Sequence, residues 1–427
     1  ERVREAEEQE RAVFAGRPDP EPPPGGRRGG EAADLDEVSF FSRDPILSNV
    51  QSALEEYIET RQPEDLEEQA AEARGRRRGA PAADEPPVVT GRRLRNARQG
   101  SDGRRIGEKF SVTDAGWLSS LVAMGVRRFR DKHPFNPLPA LPRQISDRAR
   151  LLVVGDWGSG IPRAVKVSEQ MRRVLGEGRE QRLEQHVIHL GDVYYSGWIS
   201  EVRKRFLPHW PVDPAEAGEI GSWSLNANHD MYAGGYGYFD ALLADPRFAM
   251  QGGSSFFSLA NRHWRILGLD TGWEDGGLQE PQPAWVAREA DEAARAGQKV
   301  MLLSHHQLFS AFEKSGDRLS RELGEVLGRG AVHSWLWGHE HRELIYEPHG
   351  GVRFSACLGN GGVPVYMTHR AGGPFPPPVT YENRERIKKG LESWALFGFA
   401  VLDLEEDRFH LRLVDENGRT HHTQTVV

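Results

Sequence analysis

Two stretches constrain this chain more than any others: RLLVVGD, which ends at Asp156, and HVIHLGD, which ends at Asp192. Each is a short apolar run stopped by Gly-Asp. Between them Ala164, Val167, Met171 and Leu175 recur at helical spacing. A strand, a helix and a second strand in that order form a parallel βαβ unit, because parallel strands need a crossover of this length. Further strands are expected at HWRILGLD, KVMLLSHH and VHSWLWGHEH, and helices at 198–206, 284–296 and 318–328. The end of the chain has another texture. LFGFAVLDL, RFHLRLVD and THHTQTVV, with the turn signal ENGR before the last, predict antiparallel strands. The fold class is therefore α/β.

The polar side chains gather where those strands stop. Asp156, Asp192, His305 with His306, and His339 with His341 all follow apolar runs. Asn228-His229-Asp230 follows the apparent strand SWSLNA. In open α/β sheets, binding sites form beyond the carboxyl ends of strands. Carboxylate, amide and imidazole make an O/N donor set suited to Mn, Fe or Zn, with no thiolate among them. A lone histidine at a strand end is most often hydrogen-bonded structure; five such ends in one domain point to a metal site.

The first 108 residues differ from the rest. GRPDPEPPPGGRRGGEAAD and ARGRRRGAPAADEPP are rich in Pro, Gly and charge, and bury too little apolar surface to offset ordering entropy. One island, about 45–62, sets Ile46, Leu47, Val50, Leu54, Tyr57 and Ile58 at helical spacing. Residues 1–108 are thus a polar extension with one amphipathic helix, and a route to a protein partner. Residues 109–145 are expected to be a helical linker packed on the core, with Trp117, Leu121, Val122 and Phe129 near one face; the catalytic domain would run from 146 to 427. The arginine clusters Arg74, Arg76–Arg78 and Arg92, Arg93, Arg95, Arg98 have acidic flanks and no interleaved aromatics. With a net charge of −8, nucleic acid is not an expected partner. No apolar run is long enough for a transmembrane anchor. The single cysteine, Cys357, excludes an intrachain disulfide and fits a cytoplasmic setting, although the chain begins at Glu1 rather than Met.

GDWG, GDVYY, NHD, SHH and GHEH occur in the order found in calcineurin-like metallophosphoesterases, over 155–341. The resemblance implies a two-sheet α/β sandwich with a dinuclear metal centre between the sheets. It leaves the first ~145 residues uncovered. Most members carry Asp-x-His in the first block, where Asp156-Trp157-Gly158 stands here. Purple acid phosphatases share that departure and place a tyrosine three residues after the second aspartate. That position is Tyr195, with Tyr194 expected to point elsewhere. The resemblance then implies one ion held by Asp156, Asp192, Tyr195 and His341, and another held by Asp192, Asn228, His305 and His339. Fe(III) would suit the tyrosinate, with Fe(II), Zn(II) or Mn(II) beside it; a di-Mn(II) pair is the alternative. Ala227 and Gln307 replace the Gly and Pro usual in the third and fourth blocks, and His306 remains the alternative ligand to His305.

Two such ions lower the pKa of bound water and polarise a phosphoryl oxygen, so a hydroxide attacks phosphorus in line without a protein nucleophile. His229 is expected to assist the leaving group, Asp230 to orient His229 or a loop amide, and His306 to line the phosphate pocket; Asn228, His229 and Tyr232 would meet the substrate. Asp270 is either a support for the centre or a turn former, Glu340 points away, and Cys357 packs. The expected function is hydrolysis of phosphate monoesters. The alternatives are a phosphodiesterase on nucleotides, cyclic nucleotides or lipid headgroups, and a metal-domain scaffold or sensor acting through the N-terminal extension.

Overall fold

The computed structural model describes residues 132–312, 315–363, 377–385 and 395–427. The helix expected at 45–62, residues 109–131 of the expected helical linker and both arginine clusters lie outside them. The described part of the expected helical linker contains no helix. It runs extended from Lys132 and ends in the short strand β1 (Arg143–Gln144). Pro134, Pro137, Pro139 and Pro142 explain the difference, since each lacks an N–H and pushes its preceding residue out of the α region.

The βαβ unit is present as read. It comprises β2 (Ala149–Val154), α1 (Pro162–Glu180) and β3 (Glu184–His189), with β2 and β3 parallel. β4 (Ile220–Ser224) pairs parallel with β3 and leads into the single turn α2 (Asn228–Tyr232). β5 (Phe257–Ala260), β6 (Trp264–Gly268), α3 (Gln282–Ala296) and β7 (Lys299–Ser304) follow. Two short helices, α4 (Asp317–Glu322) and α5 (Gly324–Gly328), precede β8 (Val332–Trp337). β9 (Glu343–Tyr346), β10 (Phe354–Leu358) and β11 (Val379–Glu382) complete the middle of the chain. β12 (Gly398–Glu405), β13 (Arg408–Asp415) and β14 (Thr420–Val426) form the antiparallel end.

These strands make two sheets. One has the order β1-β5-β6-β7-β8-β10-β9-β11, the other β14-β13-β12-β2-β3-β4. Leu151 and Val153 of β2, Ile188 of β3 and Leu402 of β12 share one apolar cluster with Ile266, Met301, Leu303 and Leu336 of the other sheet. The sheets therefore pack face to face. On the outer face of the larger sheet, Leu267, Leu302 and Trp335 meet Trp285 and Val286 of α3. α1 buries Ala164, Val167, Met171 and Leu175, the positions its periodicity singled out. With both faces covered, β2 and β7 are apolar along most of their length instead of alternating.

The parallel strands β2, β3 and β4 of one sheet and β7 and β8 of the other end at the same place. That alignment positions the site.

Candidate metal centre

Asp156 follows β2, Asp192 follows β3, Asn228 opens α2 after β4, His305 follows β7, and His339 and His341 follow β8. Four of these residues, Asp156, Asp192, His339 and His341, take positive φ of 57°, 76°, 69° and 50°. Non-glycine residues rarely adopt this conformation, and where they do it clusters at functional sites. Here the turn aims each side chain back across the sheet ends.

The donors converge. One oxygen of Asp156 accepts the His339 backbone N–H at 2.7 Å; the other lies 3.3 Å from His341 Nε2. Asp192 Oδ1 accepts the His229 N–H at 3.1 Å, while Oδ2 faces His305 Nε2 at 3.4 Å. His305 Nδ1 sits 3.0 Å from the Leu190 carbonyl. A carbonyl only accepts, so this nitrogen carries the hydrogen. His305 Nε2 then meets Asn228 Oδ1 at 3.0 Å and His339 Nδ1 at 3.2 Å as well as Asp192. One hydrogen cannot serve all of these partners. Imidazole, amide and carboxylate lone pairs facing a common point fit a cation, and a backbone carbonyl on the far ring nitrogen is the usual support of a metal-binding histidine. Donor atoms of Asp156, Asp192 and His305 all lie within 4.8 Å of one another, as do those of His305, His306 and His339.

The electrostatics agree. Against the pull of burial, Asp192 and then Asp156 raise His305 to about 9, so the site draws positive charge to that ring. Burial works against Asp192 too, but His305 and His229 hold its carboxyl well below the usual range. Burial and the neighbouring His305 push His339 down to about 3, leaving a neutral ring available as a ligand.

The phenol at the centre is Tyr194, not the expected Tyr195. The Tyr194 hydroxyl lies 2.9 Å from an Asp156 oxygen, 2.9 Å from an Asp192 oxygen and 2.9 Å from His341 Nε2. Tyr195 contributes backbone: its N–H goes to Glu201, its carbonyl takes His229 Nδ1, and its ring lies 5.7 Å from the Arg205 guanidinium. The cause is a backbone bridge. Gly158 pairs with Val193, its N–H reaching the Asp192 carbonyl at 3.3 Å and its carbonyl accepting the Tyr194 N–H at 3.1 Å. This docking turns Tyr194 inward. Gly158 is needed for it, since a Cβ there would lie 2.9 Å from both the Asp192 oxygen and the Val193 Cα. Gly158→Ala should therefore destabilise the protein by about 1–3 kcal/mol, measured as a lower melting temperature, because backbone must move to admit the methyl. An unchanged melting temperature would show that the bridge is soft.

Asp230 takes one of the two roles expected of it. Its carboxylate is fully buried and accepts the backbone N–H groups of Asp192 and Val193 at 3.1 and 3.2 Å. It shapes the loop that carries Asp192 and Tyr194, which is the loop-amide alternative of the sequence reading. His229 is turned to the centre, with Nε2 3.9 Å from Asp192 Oδ2. Burial lowers its pKa, opposed by Asp192. Tyr232 accepts a hydrogen bond from Asn228 Nδ2 at 3.1 Å and packs on His229 at 4.6 Å between ring centroids. His306 lies beside His305 and His339 and is held by the Thr271 hydroxyl at 2.9 Å from Nδ1. Thr271 escaped the sequence reading, and no spacing rule marks it. Asp270 is a turn former, accepting the N–H groups of Gly272 and Trp273. Glu340 points away, towards Trp337 and Ser310, and Cys357 is buried in β10.

A two-sheet sandwich with this donor set at facing strand ends defines a metal-dependent hydrolase. Residues 149–343 match the model of the calcineurin-like phosphoesterase family, which supports a metal-dependent phosphoesterase domain and implies two metal ions. Comparison with curated protein sequences gave no match. Among solved structures, the chain is similar to a purple acid phosphatase from yellow lupin (Lupinus luteus) seeds, with 16% identity over 68% of this chain and 55% of that one and a TM-score of 0.48. It is similar to the inner membrane complex anchor GAP50 of Plasmodium, with 15% identity over 65% and 88% of the two chains and a TM-score of 0.46. A dimetal phosphatase from Danio rerio gives 14% identity over 68% and 99%, with a TM-score of 0.43. Among the described residues no helix is long and apolar enough to cross a membrane.

Proposed function

We propose that the chain is a dinuclear-metal phosphomonoesterase. The observation that carries this reading is the meeting of Asp156, Asp192 and Asn228 from one sheet with His305, His339 and His341 from the other. Asp156, Asp192, Tyr194 and His341 would hold one ion and Asp192, Asn228, His305 and His339 the second, with Asp192 common to both sets. Bound there, the ions supply Lewis acidity and a water of lowered pKa.

The chain's own residues do the rest. His229 donates from Nδ1 to the Tyr195 carbonyl at 2.5 Å, which turns the Nε2 lone pair to the centre, where it can take up a proton and pass it to the leaving oxygen. Tyr232 fixes the Asn228 amide so that its oxygen turns to the centre. Asp230 holds the loop that carries Asp192 and Tyr194. A hard phenolate favours Fe(III) at the Tyr194 position, with Fe(II), Zn(II) or Mn(II) in the other and a di-Mn(II) pair as the alternative. Preference for monoesters over diesters is supported by the sequence pattern of Gly158 with Tyr195 three residues after Asp192, which resembles purple acid phosphatases, although the tyrosine at the centre is Tyr194. A buried free thiol, Cys357, supports a cytoplasmic setting.

Phosphate release from phenyl phosphate and cleavage of bis(4-nitrophenyl) phosphate, measured on one preparation with its metals counted, test the reading. Faster turnover of the monoester with two ions per chain supports it; a preference for the diester replaces it with a phosphodiesterase. In His229→Ala the metal count should stay at two while kcat falls about 10²-fold or more. A fall in metal content would make His229 a ligand, and an unchanged rate would remove it from the chemistry.

A further inference from the structure

Beside His341 lies a small cavity. His341, Arg342, Glu343, Asn360, Glu382 and Asn383 supply its polar wall. Glu343 opens β9, Asn360 follows β10 in the glycine-rich turn, and Gly398 of β12 faces both: a Cβ there would lie 3.1 Å from Asn360 Nδ2 and 3.4 Å from Glu343 Oε1.

The polar atoms in this wall are incompletely used. Glu343 Oε2 accepts from Asn383 Nδ2 at 2.7 Å, but Glu343 Oε1 makes no hydrogen bond. Neither Nδ2 nor Oδ1 of Asn360 makes one either. Both residues are over nine-tenths buried, at 3% and 4% exposure. Buried polar atoms without partners are costly, and a site that keeps three of them together is built to receive something.

The chemistry of the three atoms narrows what that is. A carboxylate oxygen and an amide oxygen accept, and an amide N–H donates. A hydroxyl group both donates and accepts, and can satisfy a carboxylate and an amide at once. A second phosphate is disfavoured, because Arg342, the cation of this wall, is turned to Glu382 at 3.7 Å. An alkyl group would leave all three atoms unpaired.

We propose that this cavity is a specificity subsite that takes a hydroxyl of the substrate's alcohol portion, so that the preferred substrates are phosphate esters of polyols or sugars. The inference rests on the phosphoesterase reading, since it places the subsite next to His341 of the metal centre. Glu343 and Asn360 are the specificity-determining residues.

The test compares glycerol 3-phosphate with n-propyl phosphate, which differ only in two hydroxyls, and follows phenyl phosphate as a gauge of the hydrolytic centre. In the wild-type protein kcat/KM for glycerol phosphate should exceed that for propyl phosphate by at least about tenfold, because the analogue leaves buried polar atoms unpaired. In Asn360→Leu, and separately in Glu343→Gln, the ratio should fall towards one. A ratio near one in the wild type, or a ratio that both variants preserve, overturns the proposal. If phenyl phosphate is not hydrolysed, the phosphoesterase reading fails and the subsite is judged by calorimetry with the same two ligands. Tighter binding of glycerol phosphate, lost in Asn360→Leu, upholds it; equal binding means the cavity holds solvent only and overturns it.

Discussion

Replacing Asp192 by Asn should abolish turnover and remove metal from the protein. Asp192 is fully buried and meets three groups that belong to different strands: the His229 backbone, the Tyr194 hydroxyl and His305 Nε2. An amide keeps the shape but loses the charge that offsets two cations, and it brings an N–H₂ into a space filled with donor lone pairs. Losing an outer support of a metal site costs about 10–100-fold in affinity or activity, so loss of a bridging ligand should cost more than about 100-fold. Elemental analysis and phosphate release on the same sample read both effects. Two ions per chain and near-normal turnover in Asp192→Asn would remove Asp192 from the bridging position and the dinuclear proposal with it.

The second large effect separates two neighbouring tyrosines. Tyr194→Phe should lower metal affinity or kcat/KM by about 10–100-fold, while Tyr195→Phe should change either by little. The reason is geometric: the Tyr194 hydroxyl stands among Asp156, Asp192 and His341, whereas Tyr195 serves through its backbone N–H and carbonyl, which Phe retains. Burial, then Asp156 and Asp192, raise the Tyr194 pKa well above the usual phenol, and a bound cation is what reverses that logic. If that cation is Fe(III), the visible band of a tyrosinate should vanish in Tyr194→Phe alone. Loss of the band in Tyr195→Phe instead would restore the assignment that the family spacing suggested.

That swap shows where the sequence stops being readable. Apolar runs ending in Gly-Asp or in histidines located β2, β3, β7 and β8, four of the five strand ends that make the site. β12, β13 and β14 were legible from alternation and the ENGR turn. β5, β9 and β11 were not: each has four residues, and β11 is only partly buried, so neither length nor pattern marks it. Within GDVYY, residue spacing counts positions but does not know that Gly158 and Val193 pair. That single bridge decides which tyrosine faces inward. Thr271 was obscured for a related reason, since its partner is a ring fixed only by tertiary contact. The extended segment from Lys132 was legible in its four prolines, but the apolar residues before it suggested a helix running through.

The donors come from both sheets, three or four from each ligand-bearing side, and no single strand pair holds a complete set. Ions bound there would act as a fastener between two layers that otherwise meet through an apolar core and a few hydrogen bonds. Anything that binds the folded chain and not the unfolded one shifts the balance towards the folded state. Metal supply and the cohesion of the sandwich are therefore one equilibrium seen from two ends, and a chain starved of metal is expected to loosen first along the seam where its chemistry is assembled.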